Sequence, residues 1–207
     1  IYVATYKSIT VINGETNTVI GSITVGYDPH AMLYDPSNGY IYVATYNSIT
    51  VINGETNTVI GKIDVESVPN ELALVYNPQN KDIYVATYKS ITVINGETNT
   101  VIGSITLGSI PYALAFDPQN GYIYVVNYCP GYYPDTVTVI NGETNTVIGS
   151  ITVGIFPDSI IYDPSNGYIY VANTQSGTIS IISTLPIYTI TFIENGLPAG
   201  TSWSVTL

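Results

Sequence analysis

Val11-Ile-Asn-Gly-Glu-Thr-Asn-Thr-Val-Ile-Gly21 is repeated without change from Val51, Val93 and Val139. The copies begin 40, 42 and 46 residues apart. Self-similarity at such a period marks an array of supersecondary units, each unable to bury its apolar surface alone. The unit around the second copy reads as four strands. Residues 30–35 (His-Ala-Met-Leu-Tyr-Asp) form a short apolar run, strand a. Pro36-Ser-Asn-Gly39 is a turn, because proline presets φ and Asn-Gly accepts positive φ. Residues 40–45 are strand b, 48–53 strand c and 58–65 strand d, with a second turn at 54–57. β-branched and aromatic residues dominate these runs, and no segment shows helical periodicity. Each unit is therefore an antiparallel meander.

Side-chain alternation tells what the meander packs against. In strand b, Tyr40, Tyr42 and Ala44 point one way while Ile41 and Val43 point the other. In strand c, Ile49 and Val51 oppose Thr50 and Ile52. Both faces are largely apolar, whereas a sheet with one wet face alternates apolar and polar. Two dry faces suit a blade wedged between neighbours, which predicts an all-β fold, a β-propeller of four-stranded antiparallel blades. Tyr42, Tyr84 and Tyr124 recur at one register and are predicted to be core.

Strands b and c occur five times, with b starting at Ile1, Ile41, Ile83, Ile123 and Ile169. Strands a and d occur four times: the first repeat lacks a, and the fifth lacks a recognisable d after Ser183. Residues 1–184 are thus expected to form about five blades of a larger ring, with further blades upstream. From Leu185 the pattern changes, and residues 185–207 read as a truncated β-hairpin opening a β-sandwich-like module.

Composition removes several function classes. Charged residues are 9% of the 207, against about 25% in typical soluble proteins. Fifteen acidic and 4 basic residues give a net charge of −11, so no basic stripe exists to neutralise nucleic-acid phosphates or an anionic membrane surface. No apolar run reaches the ~18 residues of a membrane-spanning helix. The one cysteine, Cys129, reads as a loop thiol. With one His and one Cys, no His or Cys pair exists to hold a metal, and no glycine-rich phosphate motif opens a helix. No cofactor is predicted. Glu15, Glu55, Glu97 and Glu143 recur in the c–d turns and read as solvated acids.

Strand b carries Tyr124-Val-Val-Asn127 and Tyr170-Val-Ala-Asn173, with Tyr-Val-Ala-Thr at Tyr2, Tyr42 and Tyr84. This pattern resembles the YVTN-repeat β-propellers, common in archaeal surface-layer and other secreted proteins. Three copies place Thr (Thr5, Thr45, Thr87) where that motif has Asn. The tail Phe192-Ile-Glu-Asn-Gly-Leu-Pro-Ala-Gly-Thr-Ser-Trp-Ser-Val-Thr206 looks like the start of immunoglobulin-like modules in archaeal cell-surface proteins. Together the resemblances imply an extracellular, cell-surface location. They carry no catalytic motif.

Differences in repeat length point to a site. The a–b and c–d turns never change length. Extra residues fall between d and a near 66–70, between b and c at 128–135, and between b and c at 174–177. In an up-and-down meander those connections share one end, so the variation gathers on one rim, where binding sites on rigid scaffolds usually lie. Its loops hold Tyr27, Tyr112, Tyr128, Tyr132, Tyr133 and Phe156, rings suited to protein or glycan contacts. His30, the single histidine, begins strand a beside Asp28. The leading expectation is a non-catalytic adhesion or binding module with a protein or glycan partner at the cell surface. A propeller enzyme (lyase, hydrolase or redox type) with its site at the channel mouth, and a structural surface-layer spacer, are the alternatives.

Overall fold

The computed structural model describes residues 1–65, 73–128 and 135–184. Among them are eighteen strands in five antiparallel sheets, one per repeat. The first sheet holds β1 (Tyr2–Ala4), β2 (Ser8–Asn13) and β3 (Thr18–Thr24). The second holds β4 (Ala31–Asp35), β5 (Tyr40–Thr45), β6 (Ser48–Asn53) and β7 (Thr58–Asp64). The third holds β8 (Leu74–Asn77), β9 (Asp82–Thr87), β10 (Ser90–Asn95) and β11 (Thr100–Thr106). The fourth holds β12 (Ile110–Asp117), β13 (Tyr122–Tyr128), β14 (Thr136–Asn141) and β15 (Thr146–Thr152). The fifth holds β16 (Pro157–Asp163), β17 (Tyr168–Asn173) and β18 (Thr178–Ser183).

The inventory follows the sequence reading: the first sheet has no strand a, and the fifth shows no strand d among the described residues. In the second repeat strand a begins one residue later than expected, and d ends one residue earlier. The tail at 185–207 lies outside the described residues.

The second, third and fourth sheets run in the order a-b-c-d, so a and d are their edges. Consecutive sheets come closest along their a strands, β4 by β8, β8 by β12 and β12 by β16. The sheets therefore converge on the a side and spread toward d. Four apolar clusters fill the four gaps between them. In the second sheet Ile41, Val43 and Ile52 pack on Ile9, Val11 and Ile23 of the first. Its opposite face, Tyr42, Ala44, Ile49 and Val51, packs on Ile83, Val85 and Ile94 of the third. This is the two-sided burial that the alternation predicts.

Three tyrosines of the b-strand register, Tyr2, Tyr42 and Tyr84, add a polar latch to this packing. Tyr42 donates from its hydroxyl toward Asn99 Oδ1 (2.6 Å) and Gly96 O (3.1 Å) in the next sheet's c–d turn. Tyr84 reaches Asn145 Oδ1 (2.6 Å) and Gly142 O (3.0 Å) the same way, and Tyr2 reaches Asn57 Oδ1 (2.8 Å) and Gly54 O (3.0 Å). Tyr42 and Tyr84 are fully buried and Tyr124 nearly so. A buried phenol with a partner avoids the desolvation cost of an orphaned hydroxyl.

The invariant Asn-Gly-Glu-Thr-Asn turn supplies the acceptors. Asn53 Oδ1 accepts from the backbone of Glu55 (2.9 Å) and Thr56 (3.0 Å), and Asn57 adopts φ 56°. Asparagine tolerates that left-handed conformation better than most residues. Gly96 N donates to Lys81 O (3.0 Å), and a Cβ on Gly96 would sit 2.6 Å from that oxygen. Glycine is thus required where the c–d turn leans on the a–b turn. On the outer edge, strand d skips a residue in its pairing with c between Val51 and Ile52, leaving Ile60 bulged and exposed, and the first, third and fourth sheets repeat this. A bulge twists an edge strand away from flat pairing with another chain.

Candidate binding rim

The b–c turns and d–a connections share one end. Val25 N donates to Lys7 O (3.2 Å), Leu107 N to Lys89 O (2.8 Å) and Val153 N to Asp135 O (3.1 Å), so each d strand departs along its own sheet's b–c turn. The described ends of the b–c and d–a connections therefore share one rim.

The Thr or Asn that ends strand b tracks the length of the loop after it. Thr5, Thr45 and Thr87 donate to the carbonyls of Ser8 (2.8 Å), Ser48 (3.0 Å) and Ser90 (3.1 Å), closing short turns that carry Tyr-Lys or Tyr-Asn. Asn127 and Asn173 stand before the longer loops and use their amides as braces. Asn127 Nδ2 donates to Thr138 Oγ1 (2.8 Å), and Asn173 Nδ2 to Ser180 Oγ (3.0 Å). A longer side chain reaches into the sheet where no tight turn is available.

At the fourth and fifth sheets the rim gathers three of the predicted residues. Phe156 lies 4.8 Å from Tyr128 and 6.1 Å from Tyr112, and Tyr112 lies 6.3 Å from Tyr128, all edge-to-face. Tyr112 is the residue skipped in the β12–β13 pairing between Pro111 and Ala113. Phe156 has φ 55°, an outlier for so bulky a side chain. Asp135 Oδ2 accepts from the Phe156 backbone N–H (2.9 Å), while the Phe156 carbonyl accepts from Thr174 N and Thr174 Oγ1, each at 2.9 Å. These contacts fix the Phe156 backbone from both sides.

A second patch lies at the first and second sheets. Tyr27 packs edge-to-face on Tyr6 with centroids 4.9 Å apart and hydroxyls 2.7 Å apart. Lys7 Nζ sits 5.4 Å from the Tyr6 centroid and 5.7 Å from that of Tyr27. The hydrogen bond to Tyr27 raises the Tyr6 pKa above its ordinary value, with desolvation and Asp28 adding to it. Tyr46 and Tyr88 occupy the equivalent turns and are exposed, and Lys89 Nζ lies 5.5 Å from the Tyr88 ring.

Sequence reasoning passed over Tyr6, Tyr46 and Tyr88. Their signal was a tyrosine recurring between strand-b Thr and strand-c Ser, as in Thr5-Tyr-Lys-Ser8. His30 follows Tyr27 and Asp28 in the chain: Nε2 lies 3.6 Å from Asp28 Oδ2, and its backbone N–H donates to Ala44 O (3.0 Å). Tyr132, Tyr133 and Cys129, with the added residues near 66–70, lie outside the described residues. Among the described residues no group of three His, Cys, Asp or Glu is placed to hold a metal ion. No helix among them is long and apolar enough to cross a membrane.

The opposite end is different in kind. There the a strands and a–b turns of sheets two to five line an open concavity of about 630 Å³. Pro36, Pro78, Pro118 and Pro164 line it with Tyr76, Phe116 and Tyr162. It contains neither a paired acid and base nor a histidine.

Set beside solved structures, the chain shows the β-propeller fold. It is similar to the WD40 β-propeller domain of Doa1, at a TM-score of 0.67 and 18% identity over 86% of this chain and 58% of that one. It is also similar to a chain of Kuenenia stuttgartiensis hydrazine synthase, at a TM-score of 0.71 and 17% identity over 86% of this chain and 60% of that one. The chain thus spans about 60% of the length of these structures. No family model and no curated protein sequence matches it. At such identities the likeness concerns fold.

Proposed function

We propose that this chain is a non-catalytic recognition module, its five sheets being consecutive blades of a larger propeller that binds a protein partner through the aromatic rim. The observation that carries the reading is the Tyr112–Tyr128–Phe156 cluster, in which a strained Phe156 is pinned by Asp135 and Thr174. Strain of this kind costs roughly 1–3 kcal/mol and persists where the surroundings over-determine it, commonly at binding surfaces. Semi-exposed tyrosines with a stacked lysine at Tyr6 and Tyr27 fit the composition of protein-binding patches. The WD40 domain of Doa1 agrees in fold, and repeats of that type commonly act as interaction scaffolds.

The same reading sets the module outside the cell, as part of a surface or adhesion protein. The YVTN-like strand b supports that setting. A glycan is the second ligand class such rings suit. The enzyme reading has less support, because His30 is engaged with Asp28 and the concavity at the a–b turns is mostly apolar.

The test is capture of ligand by the chain and by a triple rim variant, Tyr112→Ser/Tyr128→Ser/Phe156→Asn, on cell-surface protein and on a glycan array. Loss of capture in the variant, with its melting temperature kept, is the expected result. Equal capture by both proteins removes the rim from the site.

A further inference from the structure

One dipeptide breaks the pattern of these closely similar repeats. The a–b turns of the second, fourth and fifth sheets end in Gly39-Tyr40, Gly121-Tyr122 and Gly167-Tyr168, whereas that of the third ends in Lys81-Asp82. Lys81 keeps the left-handed conformation of those glycines, at φ 64° against 75°, 74° and 73°, although a residue with a Cβ disfavours it. The exchange redistributes charge on the two sides of the third sheet. Lys81 pairs with Glu97 in its own sheet's c–d turn. Asp82, 5% exposed, turns its carboxyl to Asn145 in the c–d turn of the fourth sheet. Burial raises the Asp82 pKa above its ordinary value, and the bond to Asn145 opposes that rise without cancelling it. Glu143 stands exposed in the same turn as Asn145. Among the described residues neither Asp82 nor Glu143 has a basic partner.

The outer mouth of that same gap is apolar. Gly103 pairs with Val93 and Val147 with Ile140, and Val93 and Ile140 belong to the core between the third and fourth sheets. Gly103 and Val147 therefore face this gap from its two sides. Val147 and the bulged Ile148 are exposed to 48% and 49%. A Cβ on Gly103 would meet nothing within 4 Å, and its φ lies outside the left-handed region. Neither backbone nor packing demands glycine there. Glycine weakens a strand interior, and such a position often marks the close approach of a ligand or another backbone. The gaps on either side of the second sheet repeat the notch with Gly21 and Val59, and with Gly61 and Val101. Each of those has a lysine at hand: Lys62 lies on the same face as Val59, and Lys81 neutralises Glu97.

We propose that the mouth between the third and fourth sheets docks a basic, aliphatic-rich polypeptide segment, with a lysine or arginine head group on Asp82 and Glu143 and an aliphatic side chain in the notch at Gly103, Val147 and Ile148. Charge selects this occupant. A second copy of the chain would bring a net charge of −11 and its own Glu143 to the contact. A cationic head group instead neutralises a buried carboxyl that has an amide for a partner. The bulge at Ile148 turns the edge of β15 away from strand addition, so recognition runs through side chains. The surface lies at the c–d turns, at the opposite end of the sheets from the aromatic rim.

Fluorescence polarisation with a labelled peptide that alternates lysine and isoleucine tests it. The chain is expected to bind this peptide at least about tenfold more tightly than peptides alternating glutamate with isoleucine or lysine with serine. Asp82→Asn/Glu143→Gln should weaken binding about tenfold and flatten its salt dependence. Gly103→Val fills the notch from an exposed strand position, and should weaken binding about tenfold while the melting temperature is kept. Glu15→Gln/Glu55→Gln removes the same number of charges from other c–d turns and should change binding less than about twofold.

Equal binding of the lysine–serine peptide overturns the proposal, because net charge alone would then account for the contact. So does binding that is unchanged in Gly103→Val, or a loss in Glu15→Gln/Glu55→Gln as large as that in Asp82→Asn/Glu143→Gln. Should Asp82→Asn lower the melting temperature, Glu143→Gln and Gly103→Val, both at exposed positions, decide the outcome. Self-association of the chain in sedimentation velocity, lost in Gly103→Val, also overturns it, since the occupant would then be a second copy.

Discussion

At one end of the stack a Cβ on Gly96 would press to 2.6 Å against the Lys81 carbonyl, and Tyr42 and Tyr84 are locked on their neighbours' turns. At the other end Tyr6, Tyr46 and Tyr88 stand exposed on short turns, and Phe156 is held in a conformation its side chain disfavours. Both ends belong to the same repeat. The c–d turns accept hydrogen bonds from the preceding sheet's buried tyrosines, so their sequence answers to a neighbouring sheet. The short b–c turns instead present the rings of Tyr6, Tyr46 and Tyr88 to solvent.

The contrast is broken most forcefully at the buried tyrosines. Tyr84→Ala should destabilise by about 3–5 kcal/mol in urea unfolding, because it empties a filled core site and orphans Asn145 and Gly142. Next comes glycine. Gly96→Ala should cost about 1–3 kcal/mol by overpacking against backbone. Gly14→Ala, at the same place in the first repeat, should cost far less, because its nearest non-local atom lies 3.9 Å away. Equal losses at the two glycines would show that the motif itself, and not its neighbours, demands glycine.

Alkaline titration sharpens the same comparison. Burial pushes the Tyr42 hydroxyl up to about 12 and raises those of Tyr84 and Tyr124. The folded chain thus favours the neutral phenol. That contribution is complete below the ordinary tyrosine pKa of 10.0 and is lost as pH rises from there through about 12. Melting temperature should fall across that window, and Tyr42→Phe should make the fall shallower.

Smaller effects are expected at the variable rim. Phe156→Gly should change stability by less than about 1 kcal/mol, since released backbone strain offsets the lost ring contacts. Tyr27→Ala should cost under about 0.5 kcal/mol by thermal melting, as for other exposed positions. A loss at Tyr27 that approaches the one at Tyr84 would erase the distinction between scaffold and site.

Much of this was legible without a structure. The period of the repeat, the apolar character of both strand-b faces and the missing outer strands all follow from residue order. So did the gathering of loop-length changes on one rim. The latch was not legible, because Tyr42 and Asn99 lie 57 residues apart and only the angle between sheets brings them within 2.6 Å. The rim tyrosines at Tyr6, Tyr46 and Tyr88 were missed because their turns do not vary in length, which was the signal followed.

Local sequence sets which residues are strands, which way each side chain points and which turns accept positive φ. These depend on alternation and backbone sterics within a few residues. Tertiary structure alone decides that Tyr112, Tyr128 and Phe156 form one cluster. It also decides that Tyr42 and Tyr84 close on the turns of the next sheet. Those outcomes depend on distances between segments far apart in the chain, which are fixed only when the sheets converge along their a strands.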